Sequence, residues 1–178
     1  MMQTGKNELE LPPPRQTNPK VSSTAKLILV DPRTLIEQSM DTSEEFKPHG
    51  QGYLFDHLGM TFAFTPSGVA NGLLTLERHH FSWKGRVHAG TLFALADSCA
   101  GFGCMRSLPE GATGFATLET KTNFVATTDG GVIKAVAKAM HLGQSTQIWD
   151  VEITSEKDQK TLAWFRCTQV IMWPRPAS

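Results

Sequence analysis

The stretch that decides the fold is GRVHAGTLFALADSC, residues 85–99, which continues as AGFGCM to Met105. From Ala89 to Met105 it contains one carboxylate, Asp97, and no Lys, Arg, Glu or His. At about 100° per residue its apolar side chains occupy the whole circumference, which predicts a helix of about four turns buried on every side. One face of a sheet covers only one side of a helix, so we expect additional sheet or a second subunit to cover the rest.

Asp97 lies well inside this predicted helix, where it cannot serve as an N-cap. A carboxylate in apolar surroundings costs several kcal/mol unless it is paired or neutralised. Asp97 is therefore either a structural residue bonded to the backbone of a neighbouring strand or to Ser or Thr, or the acid of a pocket in which it does chemistry.

The start of the same helix has the composition of an anion-stabilising site. His88 is followed by the small residues Ala89, Gly90 and Thr91, which let a ligand approach the backbone N–H groups of the first turn. The helix N-terminus favours developing negative charge, as an oxyanion hole requires. Asp97 lies roughly 10–12 Å further along the axis at 1.5 Å per residue. A ligand must therefore lie along the helix, or two chains must contribute to one site.

The bulk composition excludes several classes of function. The 178 residues suit one domain plus an extension, and 40% apolar residues suit a globular core. Lys plus Arg equals Asp plus Glu at 17 each, and no long basic run is present, so we expect no nucleic-acid partner. No apolar run approaches the ~20 residues that span a bilayer, and we expect no membrane partner.

The three cysteines, Cys99, Cys104 and Cys167, form no CxxC pair. An odd number argues against a disulfide framework, and the spacing argues against a zinc knuckle. Cys99 and Cys104 are therefore expected to be small core residues. The N-terminus shows no basic-then-apolar leader pattern, so the cytoplasm is the expected compartment.

The chain divides into an N-terminal extension, residues 1–45, and a domain, residues 46–178. Residues 1–24 are polar, rich in proline and without periodicity, and we expect a flexible tail. Within the extension a short helix could start at Asp31, as N-cap, with Pro32 at its first position.

The remaining pattern predicts an α+β fold. A short helix near residues 53–58 precedes strand-like alternation, and Leu118, Thr120, Thr122 and Phe124 are expected on one strand face. Thr128–Gly131 has the composition of a tight hairpin turn. About six strands result, predicted as one antiparallel sheet beside the long helix, over residues 60–65, 69–77, 114–126, 132–143, 145–155 and 161–173.

Two motifs in this order resemble the hotdog-fold acyl-CoA thioesterases, most closely the phenylacetate-pathway and Arthrobacter-type 4-hydroxybenzoyl-CoA branch. The family signature Gly-x-x-His-Gly-Gly stands here as Gly85–Gly90, GRVHAG, with Ala89 in place of the first glycine of the pair. The helix signature Ala-Leu-Ala-Asp/Glu stands as Ala94–Asp97. The resemblance extends over residues 51–173 and implies a curved antiparallel sheet of about six strands wrapped around one central helix.

The resemblance also implies a mechanism and an assembly. Backbone N–H groups near Ala89 and Gly90 would polarise the thioester carbonyl, and His88 would orient that loop or the carbonyl. Asp97 would act as general base on water or as nucleophile through a mixed anhydride. Two subunits would form a continuous sheet with active sites at their interface, and the dimers usually pair into tetramers. The acyl-CoA is a substrate, and no separate cofactor or metal is expected.

The same resemblance suggests substrate-binding positions and shows departures from the family. Ser82 stands where members often carry Asn or Gln, and Gln144 where many carry Arg. Gly101 stands where a Ser or Thr often follows the acid by one turn, although Ser98 is adjacent to it. The residues expected to line the acyl-CoA are Ser82, Ser98, Thr120, Lys121, Thr122, Gln144 and Ser145.

Three alternatives remain open at this point. The departures permit a non-catalytic acyl-CoA-binding hotdog protein. The stretch HHFSWKG, residues 79–85, superficially resembles a motif of hotdog hydroxyacyl dehydratases, but their helix acid would fall at Ala94. A metal site formed by His79, His80 and Cys99 is the weakest, because their spacing matches no ligand pattern.

Overall fold

A computed structural model of the chain describes residues 50–175. The extension at residues 1–45, with its expected tail and helix, therefore lies outside the described residues. Within these residues, two α-helices, a short 3₁₀ turn at Arg78–His80 and six strands follow one another. In chain order they are α1 Leu54–His57, β1 Thr61–Phe64, β2 Val69–Thr75, α2 Ala89–Arg106, β3 Gly114–Phe124, β4 Val132–Leu142, β5 Thr146–Ser155 and β6 Thr161–Met172.

The six strands form one antiparallel sheet in the order β1-β2-β4-β5-β6-β3. The α+β architecture, the strand pair β1–β2 and the long helix are thus confirmed. The hairpin predicted at Thr128–Gly131 is wrong, because β3 pairs with β6 while β4 lies between β2 and β5. After β3 the N–H groups of Val125 and Ala126 both donate to the carbonyl of Leu162, so the chain leaves the edge and crosses to the centre of the sheet.

Helix α2 packs closely on the sheet because small residues occupy its contact face. A Cβ on Gly103 would lie 2.6 Å from the ring of Trp149, and one on Gly101 would lie 3.2 Å from Phe115. Trp149 is fully buried, so no larger side chain fits at Gly103 without displacing the indole. Alternation along β5 places its odd-numbered residues against the helix and leaves the even-numbered ones half-buried on the other face.

The buried side-chain amide of Gln147 hydrogen-bonds the backbone at the C-terminal end of α2. Gln147 is 1% exposed, and its Nε2 donates to the carbonyl of Ser107 just after the helix. Its Oε1 accepts a hydrogen bond from Trp149 Nε1 at 3.1 Å. The same side chain therefore terminates the helix and orients the largest buried ring.

All three cysteines are buried free thiols. This confirms that Cys99 and Cys104 are core residues, and burial raises the pKa of each thiol, Cys167 included, to about 12. They remain protonated at neutral pH and are poor nucleophiles.

The chain's own sheet covers only part of α2. Phe93 is 36% exposed and Met105 40%, and Asp97 and Ser98 are half-buried. The expected burial on every side is therefore not achieved within one chain. The open face of α2 lies on the side of β3, which is eleven residues long and whose outer edge has no partner strand within residues 50–175. Among the described residues no helix is long and apolar enough to cross a membrane.

Candidate active site

The loop that leads into α2 is held by the buried side chain of His80. This residue is 1% exposed; its Nδ1 accepts from the N–H of Glu77, and its Nε2 contacts the carbonyl of Leu58 at 3.0 Å. Because Nδ1 accepts, the neutral ring carries its proton on Nε2 and donates it to Leu58. Desolvation by burial, followed by the proximity of His79, lowers the pKa of His80 and favours this neutral form.

The backbone of His80 fixes the start of the helix. Its carbonyl accepts from the hydroxyl of Thr91 at 3.0 Å and from the N–H of His88 at 2.9 Å. Both ring nitrogens of His80 are occupied by backbone atoms, and Cys99 Sγ contacts the carbonyl of Ala70. The metal site considered from His79, His80 and Cys99 is therefore not assembled.

His88 is the N-cap of α2. Its Nδ1 accepts from the N–H of Gly90 at 2.9 Å, so the neutral ring carries its proton on Nε2. A Cβ on Gly90 would lie 2.9 Å from that Nδ1, so glycine lets the imidazole fold back over the first turn. The N–H of Ala89 has no acceptor among the described residues. The exposed first turn thus offers one free backbone donor and one outward imidazole N–H.

Asp97 lies two turns further along, on the open face of α2. Its half-buried carboxylate accepts from the hydroxyl of Thr117 at 3.2 Å. Burial raises the pKa of Asp97 above its ordinary value of 3.8, and the hydrogen bond from Thr117 partly opposes this shift. A carboxyl with a raised pKa in a partly apolar site is better able to take up a proton during a reaction.

A β-bulge explains how Thr117 reaches Asp97. Thr117 pairs with Gln169 and Glu119 with Thr168, so Leu118 is an extra residue without a partner on β6. The bulge turns Thr117 toward the helix and leaves Leu118 67% exposed. The sequence pattern, which placed Leu118 on the same face as Thr120, was wrong at this one position, because strict alternation does not allow for an inserted residue.

The structure adds two polar residues that the sequence analysis did not select, Thr117 and Gln169. Gln169 is fully buried, and its Oε1 lies 3.1 Å from the Thr117 hydroxyl. Alternation along β6 could have identified it, because Gln169 shares the buried face with Phe165, Cys167 and Ile171. No comparable signal marks Thr117, since its orientation depends on the bulge.

Some of the predicted binding residues lie near Asp97. Ser98 is its neighbour on the helix, and Thr120 and Thr122 continue the helix-facing side of β3 opposite Cys167 and Phe165. Thr122 Oγ1 is buried and has no hydrogen-bond partner among the described residues.

The other predicted residues lie apart from Asp97 within one chain. Lys121 pairs with Arg166 on the opposite face of the sheet. Gln144 and Ser145 form the β4–β5 turn, where their carbonyls accept from Trp173 Nε1 and the Ile171 N–H. Ser82 closes its own loop, donating to the carbonyl of Arg86 at 3.1 Å.

Comparisons with known proteins agree with this fold. The model of the thioesterase superfamily matches residues 84–162. A 1,4-dihydroxy-2-naphthoyl-CoA hydrolase of Listeria monocytogenes is 37% identical over 84 residues, covering 47% of this chain and 67% of the relative. The acyl-coenzyme A thioesterase PaaI of Escherichia coli is 28% identical over 109 residues, covering 61% of this chain and 75% of the relative.

The solved structures reproduce the architecture. The crystal structure of a thioesterase from Haemophilus influenzae superposes with a TM-score of 0.69 at 21% identity, covering 74% of this chain and 90% of that one. At this identity the superposition establishes the fold, a curved six-stranded hotdog sheet with its central helix. The superfamily match and the Listeria relative show that the chain belongs to the thioesterase superfamily and is a thioester hydrolase.

Proposed function

We propose that this chain hydrolyses acyl-CoA thioesters to a free acid and CoA. The observation that carries the proposal is the half-buried Asp97 carboxyl with its raised pKa, two turns from the free N–H of Ala89 on one helix. Two relatives, a 1,4-dihydroxy-2-naphthoyl-CoA hydrolase and an acyl-coenzyme A thioesterase, support the CoA thioester as the substrate class.

The first turn of α2 would activate the thioester carbonyl. Ala89 N–H is the available backbone donor, since Gly90 N–H already bonds the His88 ring. The Nε2–H of His88 would supply a second donor to the carbonyl oxygen. The positive end of an 18-residue helix adds to the stabilisation of the oxyanion that forms there.

Asp97 would deliver the nucleophile by one of two routes. As general base it removes a proton from water, whose oxygen bonds to the carbonyl carbon; the C–S bond then breaks and the CoA thiolate is protonated. As nucleophile its own oxygen bonds to that carbon, CoA leaves, and water hydrolyses the mixed anhydride. Both routes give the same acid and thiol.

A second copy of the chain would complete the site. Eight residues separate Ala89 from Asp97, roughly 12 Å along the axis, which is too far for one carbonyl to contact both. The free edge of β3, the exposed Leu118 beside it and the open face of α2 suit pairing with an identical edge. The carboxylate of one subunit would then face the first helical turn of the other, and two such dimers would form a tetramer.

The remaining predicted residues would contact the substrate along this interface. Ser98, Thr120 and Thr122 would contact the reacting end, and Ser82 lies in the loop that precedes the first turn of α2. Lys121, Gln144 and Ser145 are exposed, and they would contact the CoA portion only at a subunit boundary.

A panel of acyl-CoAs tests the proposal. Short, medium and long acyl-CoAs and an aryl-CoA are incubated with the full chain, and the released thiol is measured with a thiol reagent. We expect release with at least one member, and release slowed by roughly 10²–10⁴-fold with the Asp97→Asn variant. Tight binding of an acyl-CoA without release of thiol would instead establish the non-catalytic binding protein.

A further inference from the structure

The Thr117 hydroxyl lies between two acceptors but carries only one hydrogen. Its Oγ1 is 3.2 Å from Asp97 Oδ1 and 3.1 Å from Gln169 Oε1. A hydroxyl donates one hydrogen bond and accepts up to two. Thr117 can therefore donate to Asp97 or to Gln169 but not to both at once.

Gln169 is held in the orientation that presents its oxygen to Thr117. The side chain is fully buried, and its Nε2 donates to Cys167 Sγ at 3.3 Å. The Cys167 thiol stays neutral, because burial raises its pKa to about 12. It therefore does not compete as a charged group for the Thr117 hydroxyl. The amide oxygen of Gln169 thus remains available as a fixed acceptor for the Thr117 hydroxyl.

The protonation of Asp97 decides which way the hydroxyl points. When Asp97 is ionised, Thr117 donates to the carboxylate. When Asp97 holds a proton on Oδ1, that proton is donated to Thr117 Oγ1, and Thr117 donates in turn to Gln169. In each protonation state the hydrogen bonds of Asp97 and Thr117 are therefore satisfied, and the two arrangements interconvert by rotation of one hydroxyl.

We propose that Thr117 and Gln169 are positioning residues that support Asp97 in both protonation states and so set the pH at which it loses its proton. This inference rests on the proposed function of Asp97 as the reacting carboxylate. It goes beyond that function, because it assigns a role to two residues that do not contact the thioester.

Within one chain, few other groups affect the charge of Asp97; in the proposed dimer the first helical turn of the other subunit would also face it. On α2 its neighbours Ala96 and Ser98 are neutral, and on β3 the helix-facing residues beside Thr117 are Phe115 and Thr120. From β6 the one titratable side chain recorded as interacting with Asp97, among residues 50–175, is the neutral Cys167 thiol. Within one chain, the midpoint of the Asp97 titration is thus governed by burial and by the Thr117 hydroxyl.

Two substitutions should shift this midpoint in opposite directions. Thr117→Val keeps the shape but removes the donor to the carboxylate, so the pKa of Asp97 rises by about one pH unit, the effect expected for a hydrogen bond to a charged group. Gln169→Leu removes the acceptor needed by the protonated arrangement, so the pKa of Asp97 falls. Thr117→Ser keeps the hydroxyl and should restore the wild-type value.

The measurement is the titration of Asp97 by NMR of protein labelled with ¹³C at the aspartate carboxyl groups. The spectrum of Asp97→Asn assigns the signal. The acid limb of the pH profile for thiol release is recorded in parallel and should shift with the NMR midpoint. Thr168→Val is the matched control, because it removes a hydroxyl from the opposite face of β6 and should leave the midpoint unchanged.

The outcomes separate this inference from the proposed function. Equal midpoints in wild type and Thr117→Val, or shifts of the same sign in Thr117→Val and Gln169→Leu, would overturn the positioning role even if thiol is released. Opposite shifts in a protein that hydrolyses no acyl-CoA would support the network and reject the function. If Thr117→Val does not fold, the Gln169→Leu and Thr117→Ser titrations decide, because a Gln169→Leu midpoint at or above the wild-type value contradicts the proposal.

Discussion

The two halves of helix α2 differ in what they contact. Cys99 to Cys104 are buried without exception, and Gly103 allows the indole of Trp149 to lie against the helix backbone. In the first half, Ala89, Gly90 and Phe93 are exposed and Asp97 is half-buried. The polar groups that can do chemistry thus stand where the chain's own sheet stops covering the helix. From Cys99 to Cys104 the helix serves packing, whereas its first half both packs in the core, through Leu92 and Leu95, and carries the candidate site.

The largest expected effect comes from a substitution in the surface that would cover the exposed first half of α2. Leu118→Arg places a charge on the free edge of β3, where pairing with a second copy would bury it at a cost of several kcal/mol. We expect sedimentation at low micromolar concentration to show an oligomer for the wild type and monomers for the variant, with loss of thiol release.

Leu142→Arg is the matched control for this change. Leu142 is also well exposed, at 56%, but it lies on the interior strand β4, where it pairs with Gln147 of β5 and not along the outer edge of the sheet. This variant should stay oligomeric and active. A monomeric wild type that hydrolyses acyl-CoA would refute the shared site.

A smaller effect is expected in the packed half. Gly103→Ala forces a methyl group against Trp149 at 2.6 Å, and overpacking of this kind costs about 1–3 kcal/mol. Denaturant unfolding should show this loss, while thiol release by the folded protein stays near the wild-type rate. Gly130→Ala, with no atom within 4 Å of the new Cβ, should change stability by less than about 0.5 kcal/mol. Equal losses in both variants would contradict the packing role of Gly103.

The smallest effect is on the stability of Asp97→Asn. Because the folded pKa of Asp97 is raised, the folded state binds the proton more tightly than the unfolded state. The stability from this group is complete below the ordinary pKa of 3.8 and is lost as the pH rises through the raised folded value. Asn does not titrate, so we expect the variant to be slightly more stable than wild type at pH 7. Unfolding at pH 7 and at pH 3 measures the difference, and a clear loss at pH 7 would indicate a structural Asp97.

Much of the fold could be predicted from the sequence because its strongest pattern is local. A long apolar run without proline gives helix α2, and alternation gives the strands within a few residues. The strand order could not be read in the same way. Thr128–Gly131 has hairpin composition, yet the chain crosses the sheet there, since pairing of β3 with β6 depends on contacts distant in sequence.

The candidate site was predictable to the extent that it lies on one element. His88, Ala89, Gly90 and Asp97 belong to the helix and its N-cap, so their spacing follows from helix geometry. Thr117 was missed, because the bulge at Leu118 changes which side chain points inward. A single extra residue in a strand is a property of its pairing and leaves no mark in the strand's own alternation.

The rate of thiol release by Asp97→Asn, compared with that of Gly103→Ala, tests most directly whether the two parts of α2 have different roles. The account predicts that Asp97→Asn remains folded and oligomeric by circular dichroism and sedimentation, while its rate of thiol release falls by roughly 10²–10⁴-fold, the range for loss of a general base. Gly103→Ala should show the reverse, a lower stability with a nearly unchanged rate. A well-folded Asp97→Asn oligomer within threefold of the wild-type rate would contradict the catalytic assignment of Asp97.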